Sequence, residues 1–282
     1  MSQTPSNRGM ALIAVLWLVA AMSLIVTGVV KTVRTEAAGT GLQRQMAIGS
    51  ALADAAVLLA LQQLHDQGQV AGEAPRSIAV TFAEHSMNVQ LFPLNGLIDL
   101  NNAPIQLLVD LYRYAGELDQ SAAQNLAQAT IAARQSKNSK GLTVGFDAPE
   151  DLFRLPGFTY ALYAKISSLV TADLSGGSGR VNPLAAPYGV LLVLSGGDAS
   201  KASLLLSQRS SKSSFTDTTF LKPDLIEMGP SSSIKLQTSV PMPFGSVFKE
   251  WIVSALPDPV TALPWRTVYV SQPVAKLAKS EE

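Results

Sequence analysis

The sequence predicts an α+β protein in which a long N-terminal helix packs on an antiparallel sheet and a large helical domain is inserted into that sheet. An uncharged run of 21 residues, from Met10 to Val30, continues without a proline into a helical pattern. Strand-like segments lie on both sides of a helical block, at 76–92 and 233–270. The chain has 282 residues, enough for one large domain or two small ones.

The apolar run is the first element. As a helix with a rise of ~1.5 Å per residue it would span ~31 Å, enough to cross a bilayer core. A short polar leader, residues 1–9, precedes it, and no small-x-small cleavage site follows it. A retained transmembrane helix over residues 10–30 is therefore predicted rather than a removed secretory signal. We expect the leader with Arg8 to stay cytoplasmic and the main domain to be translocated.

A stalk helix over residues 31–67 is predicted to continue the membrane helix. No proline interrupts this stretch, and Gly68 follows it. Apolar residues recur at steps of three or four with one gap, which predicts the face that packs on the soluble domain. They are Leu42, Met46, Leu52, Ala56 and Leu59.

Residues 68–96 and 220–282 are predicted to form the sheet. The segments SIAVTFA and SMNVQLF read as two strands with a turn at Glu84-His85. Further strands are predicted at 233–239, 246–254 and 265–270, with a connection at 240–245 that contains two prolines. Residues 274–282 are predicted to be a frayed tail.

Residues 97–219 are predicted to be the inserted helical domain. Asn102-Ala-Pro104 predicts a helix start with Asn102 as the cap. The segment from Arg180 to Pro187 echoes the segment from Ile98 to Pro104, which predicts an internal repeat of one small module. A flexible break is expected at 175–179 and exposed loops at 136–145 and 210–219. Helices are predicted at 104–115, 120–134, 148–155, 159–170, 187–194 and 199–209.

Composition narrows the function. The chain has 21 basic and 21 acidic residues, so no net charge attracts polyanions such as nucleic acid. It contains no cysteine, which excludes structural disulfides and thiolate metal sites. With only His65 and His85 present, a multi-histidine metal site or a catalytic triad is not expected. The sequence has neither a P-loop nor a GxSxG motif, so no enzyme and no cofactor are predicted.

The stretch from Asp151 to Ile166 resembles a helix-hairpin-helix, a SAM-like element. Nucleic-acid-binding versions carry two hairpin glycines, but here Gly157 is followed by Thr159 at the second place. Residues 97–173 contain six basic and eight acidic residues, whereas a phosphate-binding surface should be positive. A packing role is favoured, and a DNA contact is the alternative. Three acidic residues cluster at a helix start, where the helix dipole favours them, and calcium would need further oxygen ligands: Asp147, Glu150 and Asp151.

The junction of polar leader and apolar run resembles type IV pilins and their secretion relatives, the pseudopilins. In that family a membrane peptidase cuts after a glycine, which implies cleavage by prepilin peptidase between Gly9 and Met10. Most members carry a glutamate at the fifth mature residue, where this chain has Ala14. Its loss suggests a subunit at the end of a filament, without the usual neighbour. A plain single-pass anchor is the alternative.

Four stretches together resemble protein K of the type II secretion system, a minor pseudopilin. They are RGMALIAVLWLV, the pair LIDLNNAPIQLL and RVNPLAAPYGVLL, the turn PEDLFRLPGF, and the last strands around Trp251 and Trp265. The second copy carries Asn182-Pro183 where members often show Asn-Thr-Ala-Pro, which leaves the shape of the second module open.

The resemblance implies a pilin-like fold and a place at the tip of a periplasmic pseudopilus, anchored in the inner membrane. It implies leader removal, methylation, and a role in starting assembly and limiting its length for protein export. The implied partners are the minor pseudopilins I and J, then protein H, the major pseudopilin and the prepilin peptidase. Some members bind calcium, and no ligands for it can be mapped in this sequence. The competing function is a membrane-anchored DNA-uptake protein, which would not need strands around a helical insertion.

Overall fold

The computed structural model describes residues 8–68, 74–137, 139–172, 177–210 and 216–277, with some side chains before Gly39 left out. The predicted α+β class is confirmed, with a long N-terminal helix on an antiparallel sheet. The helices and strands in chain order are α1 (Arg8–Asp66), β1 (Arg76–Phe82), β2 (His85–Pro93), β3 (Ile98–Asp99), α2 (Ile105–Asp110), α3 (Gln120–Arg134), α4 (Tyr160–Ile166), β4 (Val170–Thr171), α5 (Tyr188–Leu194), α6 (Ala199–Ser210), β5 (Ser233–Met242), β6 (Gly245–Ser254), β7 (Arg266–Val270) and β8 (Val274–Leu277).

Helix α1 runs unbroken over 59 residues, which confirms the predicted continuous helix. Its packed face differs in part from the prediction, because Leu42 and Leu59 remain 43% and 36% exposed. Leu42 lies almost two turns before Gly49, the first buried position among the described side chains of the helix. Leu59 lies ~100° around the helix from Ala60, which is buried. The residues that pack on the sheet are Leu52, Ala53, Ala56, Val57, Ala60, Leu61 and Leu64.

The sheet has the strand order β1-β2-β5-β6-β7, and β8 also pairs with β6. All its pairs are antiparallel. Because Pro93 of β2 pairs with Ile234 of β5, the chain leaves the sheet and returns to it at one place. The helical block is thus inserted between two adjacent inner strands. The domain boundaries at 30/31, 67/68, 96/97 and 219/220 stay predictions, which limited proteolysis would test.

Three predictions within the sheet were wrong in detail. The first hairpin turns at Ala83 and Glu84, both with positive φ, and His85 is the exposed first residue of β2. Strand β5 continues through Pro241, which is tolerated because β2 pairs with β5 only as far as Ser239 and leaves a sheet edge there. Residues 274–277 form β8 rather than a frayed tail, and residues 278–282 lie outside the described part.

Two apolar clusters form the interior. One lies between α1 and the sheet and includes Trp265. The other lies within the inserted block and extends from Ile98 to Leu225. Its largest fully buried side chain is Tyr112, whose hydroxyl lies 2.8 Å from the Thr130 hydroxyl; burial raises the pKa of this tyrosine to about 12. Each apolar cluster is therefore formed by its own set of helices and strands.

Most helices of the inserted block lie where they were predicted, with three corrections. Pro104, not Asn102, is the residue that precedes α2, and Asn102 instead donates from Nδ2 to Asp99. After α2 the chain widens into a π-helical turn over Leu111–Ala115. The predicted helix 159–170 ends at Ile166, because the chain then enters β4. Much of the expected break at 175–179 and of the loop at 210–219 lies outside the described residues.

Candidate functional site: the anchor helix and the inserted domain

The N-terminal half of α1 presents apolar side chains to its surroundings. Every described side chain in this part, Ile13 and Val15–Val26, is exposed. The large ones range from 55% exposed at Val19 to 75% at Leu24. A continuous apolar surface of this size is unfavourable in water and marks a membrane or protein contact. The segment therefore fits a single-pass membrane anchor.

A second part of α1 is also long and apolar. Within the described residues, the helical segment Gly39–Asp66 is long and apolar enough to cross a membrane. Of its most apolar stretch, 44% is buried inside the molecule. That stretch already has a partner, because the sheet covers its apolar face. The exposed run around Val15–Val26 has no such cover, so the membrane assignment falls on it rather than on the stalk.

The predicted cleavage site lies at the very start of α1. Gly9 and Met10 have helical backbone, whereas residues 1–7 and the side chains of 8–12 are outside the description. The leader residues 1–7 and the side chain of Ala14 lie outside the described part of the chain. Cleavage between Gly9 and Met10 stays a prediction.

A polar cluster fixes the stalk on the sheet. Lys249 donates from Nζ to Asp54 Oδ2 at 2.6 Å and to Ser50 Oγ at 3.0 Å. The indole N–H of Trp251 donates to the other oxygen of Asp54 at 2.9 Å. The Lys249 side chain is only 9% exposed, so separating this ion pair would leave a charge poorly solvated. This cluster resists rotation and sliding of α1 on β6, and no local pattern in the sequence predicts it.

The same face leaves no room at Gly49. A Cβ there would lie 2.6 Å from Val247 Cγ2, so the helix and β6 are in direct backbone-to-side-chain contact. This glycine appeared only as a gap in the apolar pattern. Its role became visible once β6 was placed against it.

The predicted helix-hairpin-helix is present as a short helix, Pro149–Arg154, a turn and α4. Gly157 has φ of +80°, as the turn requires. Thr159 serves as the N-cap of α4, its Oγ1 accepting the Leu162 N–H at 3.2 Å. The residue that replaces the second hairpin glycine therefore has a structural task in the helix itself.

The basic residues of this turn are already paired. Arg154 lies 2.8 Å from Asp151, and Lys165 lies 2.5 Å from Glu117. Ion pairs of this kind reduce the positive charge that a phosphate backbone would meet. The arrangement weakens the DNA-binding alternative and favours a packing role for the motif.

The acidic cluster at the same turn is explained by local contacts. Asp151 Oδ2 accepts the backbone N–H groups of Asp147 and Ala148 at 2.8 and 3.3 Å. Glu150 accepts the Tyr163 hydroxyl at 2.7 Å, and burial together with this carboxylate raises the pKa of Tyr163 to about 12. Two of the three carboxylates thus hold the turn and the helix start in place.

Aromatic rings surround the turn. Phe153 contacts Phe158 edge-on at 5.6 Å between centroids, and it lies 4.4 Å from Tyr160 and 4.9 Å from Tyr163. Tyr160 is 80% exposed. The turn therefore presents an aromatic surface with few free charges, which is typical of a protein contact rather than a nucleic-acid contact.

Calcium finds little support in the described residues. A cavity of about 230 Å³ between the sheet and the inserted block is lined by Asn95, Asp99, Ser178 and Glu227, among others. The Asn95 Oδ1 atom is buried there without a hydrogen-bond partner, but Asp99 already accepts from Asn101 and Asn102, and Glu227 from Ser178. Within the part of the chain that the structure describes, no group of three or more acidic or histidine side chains is placed to hold a metal. Calcium needs six to eight oxygen ligands, so these residues do not fit a calcium site.

The internal repeat is visible in the contacts of two arginines. Arg134, at the end of α3, donates from Nη1 to the carbonyls of Leu100 and Ala103 at 3.2 and 2.9 Å. Arg209, near the end of α6, donates from Nη1 to the carbonyls of Leu184 and Ala186 at 2.9 and 2.8 Å. In each half the arginine fastens the second helix to the turn that precedes the first.

Comparison with known proteins adds one structural likeness. No protein-family model matches the chain, and no curated protein matches it. Among solved structures, it is similar to a chain of the GspK–GspI–GspJ complex from the type 2 secretion system of enterotoxigenic Escherichia coli. The identity is 14%, the match covers 86% of this chain and 99% of that chain, and the TM-score is 0.49. At this identity and TM-score the likeness assigns no family, partner or activity to this chain.

Proposed function

We propose that this chain is a minor pseudopilin of a type II secretion system, of the protein K class. The observation that carries the proposal is one combination of elements. An exposed apolar helix continues into a stalk that packs on an antiparallel sheet, and a helical block is inserted between β2 and β5. The leader and paired-module motifs of the sequence support the same class. The proposed role in export is structural rather than catalytic.

The proposal places the chain at the tip of the pseudopilus. Subunits of a helical filament stack through their stalk helices, and a block of this size would not fit between such stalks. Ala14, in place of the usual glutamate, supports a subunit that lacks one neighbour. Tip position, initiation of assembly and control of pseudopilus length form one proposal, because all three depend on the block.

The proposed location is the inner membrane, crossed once, with the N-terminus cytoplasmic and the main domain periplasmic. The proposed partners are the minor pseudopilins I and J, followed by protein H and the major pseudopilin. Copurification of the full-length chain from detergent with proteins I and J would support this. Absence of both, under conditions in which they copurify with each other, would reject it.

The central experiment is complementation of a deletion strain. Restoring the full chain should restore export. A form in which residues 97–226 are replaced by a short linker, so that no part of the apolar cluster of the block remains, should still insert in the membrane but should fail in export or yield pseudopili of altered length. Normal export and normal length with the shortened form would reject the capping role.

Processing tests the leader. Replacing Gly9 with leucine should block removal of residues 1–9, because a peptidase that threads the backbone closely needs a small residue there. Intact-mass analysis of the membrane protein would show it. A mature N-terminus other than Met10 in the unaltered chain would reject the assignment to the pilin class.

The DNA-uptake alternative predicts a clear gel shift by the full-length protein at ~150 mM salt, weakened by R154Q and K165Q. The proposal predicts no shift, because both side chains are ion-paired and the net charge is zero. A shift that depends on these two residues would favour the alternative.

A further inference from the structure

The stretch of α1 between the anchor and the sheet is largely exposed where its side chains are described. The apolar run ends at Val30, and Gly49 is the first buried residue of the stalk among the described side chains. Between them, the described side chains of Lys31 and Glu36 and residues 39–44 are all exposed. Gln45 and Met46 are already half-buried, so a helical stretch of about 14 residues, 31–44, joins the membrane segment to the packed body over ~21 Å.

Two glycines lie in the middle of this stretch. A Cβ added at Gly39 or Gly41 would meet no atom within 4 Å, so neither glycine is required by close packing. Gly49, in the same helix, is the opposite case, since a Cβ there would meet Val247. The loss of helix stability caused by Gly39 and Gly41 is not balanced by any contact of these two glycines among the described residues.

Helix physics makes this stretch the weakest part of α1. Replacing alanine by glycine in an exposed helix interior lowers local helix stability several-fold per residue, and two such residues give ~20-fold. Thr40 between them donates from Oγ1 to the Glu36 carbonyl at 2.9 Å, a bond that competes with the helical hydrogen bond and bends helices. Both effects coincide within three residues.

We infer that Gly39-Thr40-Gly41 is a hinge that lets the soluble body tilt against the anchor helix. The anchor is held by the bilayer, and the body is held to the stalk by the cluster around Asp54 and Lys249. Motion between these two rigid parts concentrates where the helix is weakest. Under the proposed function, the hinge would let one subunit fit both the flat membrane and the filament; the hinge itself does not depend on that function.

The test uses the full chain in lipid nanodiscs. The protein has no cysteine, so spin labels at L24C in the anchor and Q90C in β2 are unique. Both positions are exposed. Distances between the labels should be broadly distributed in the parent chain and clearly narrower in G39A/G41A. Adding Q43G to that double variant returns one of the two glycines to the same exposed stretch and should broaden the distribution again in part.

Hydrogen exchange gives a second readout. Backbone amides of residues 37–45 should exchange ~20-fold more slowly in G39A/G41A, whereas amides of residues 52–64 should not change. G49A is the matched control, because it disturbs the packed part without stiffening the exposed part. A parent distribution already as narrow as that of G39A/G41A, or unchanged exchange, would overturn the hinge. Normal export by a strain that lacks the whole chain would instead overturn only the proposed function.

Discussion

The two halves of the inserted block use the same contacts with different amounts of chain. In the first half, Ile98 donates its N–H to Leu169, and in the second half Val181 donates to Leu225, so each half closes with a short parallel pair. In each, a proline precedes the first helix and an aspartate caps the second. The contacts that recur are those that hold the entering strand, the turn and the second helix together.

The halves differ where these contacts are not involved. The first contains the π-helical turn Leu111–Ala115, a longer second helix and the aromatic turn around Phe153. The second ends in a short 3-10 helix, Pro223–Leu225. The comparison indicates that the shared contacts are sufficient to form the fold of the module. The aromatic turn is an additional feature of the first half.

The departure at Asn182-Pro183 changes only part of the contacts that the two halves share. Leu100 donates its N–H to Thr171 at 2.9 Å, but Pro183, at the matching place, has no N–H to donate. The two bonds around Val181 remain, since Val181 donates to Leu225 and Glu227 donates to the Val181 carbonyl, each at 3.0 Å. The parallel pair of the second module is therefore that of the first with one bond fewer.

The halves also contact each other reciprocally. A Cβ on Gly96 would lie 2.4 Å from the Ala185 carbonyl carbon, and a Cβ on Gly179 would lie 2.0 Å from the Asn102 oxygen. Ala185 and Asn102 each immediately precede the alanine-proline pair that starts a helix. Each half thus places a glycine against the helix-start turn of the other, which is the arrangement of a pseudo-twofold pair.

The largest expected effect comes from filling this contact. We expect G179A to lower the free energy of unfolding by ~3 kcal/mol or more, because it adds overpacking to a positive φ of +73°. G96A should cost about 2 kcal/mol through overpacking alone. Denaturant unfolding of the full chain in detergent would measure both.

Gly177 is the matched control for these glycines. It lies two residues from Gly179, and a Cβ there meets nothing within 4 Å. G177A should stay within ~0.5 kcal/mol of the parent chain. Equal losses for G177A and G179A would contradict the reciprocal contact.

The next effect tests whether the two arginines are equivalent. R134Q and R209Q should each cost about 1.5–3 kcal/mol, because each removes a charged donor from two carbonyls. Burial lowers the pKa of both guanidinium groups, but they stay charged at neutral pH. R154Q is the control, since its side chain is 61% exposed and pairs at the surface. A loss confined to R134Q would show that the second half does not rely on its arginine.

Local signals in the sequence predicted much of this architecture. Helix α3 was predicted with its observed bounds, and the paired Ala-Pro turns predicted the repeat. The exposed apolar run and the unbroken stalk were equally visible, because helix periodicity and proline absence are local properties. The placing of the block between β2 and β5 followed from the order of strands and helices.

Contacts between distant residues could not be predicted in the same way. Nothing near Arg134 or Arg209 in the sequence marks their carbonyl acceptors, and nothing near Gly96 marks Ala185. The stalk face was wrong at Leu42 because periodicity does not show where a sheet begins. Strand β8 was missed because its pairing with β6 supplies the order, and four residues are too short to show a strand pattern.

The smallest expected effect concerns acid, and it compares the two helix caps. Asp119 accepts the N–H groups of Ser121 and Ala122 at 2.9 Å each, and Asp198 accepts those of Ser200 and Lys201 at 3.0 and 3.2 Å. Backbone N–H donation, from Ala122 and from Lys201, is the main cause that lowers the pKa of each carboxyl below its ordinary value of 3.8.

A lowered carboxyl pKa gives stability that is complete above the unfolded-state pKa and is lost as the pH falls through the folded-state pKa. We therefore expect no pH dependence from these caps near neutrality and a loss below about pH 4. D119N and D198N keep a cap oxygen but remove the charge, so each should flatten the acid limb of stability measured by unfolding midpoints from pH 7 to pH 3. Lys201 lies 3.5 Å from Asp198, so added salt should weaken the D198N effect more than the D119N effect. Equal responses to salt would mean that both caps act only through the backbone N–H groups that donate to them. An unchanged acid limb in both variants would mean that the caps do not contribute to the acid stability of either half.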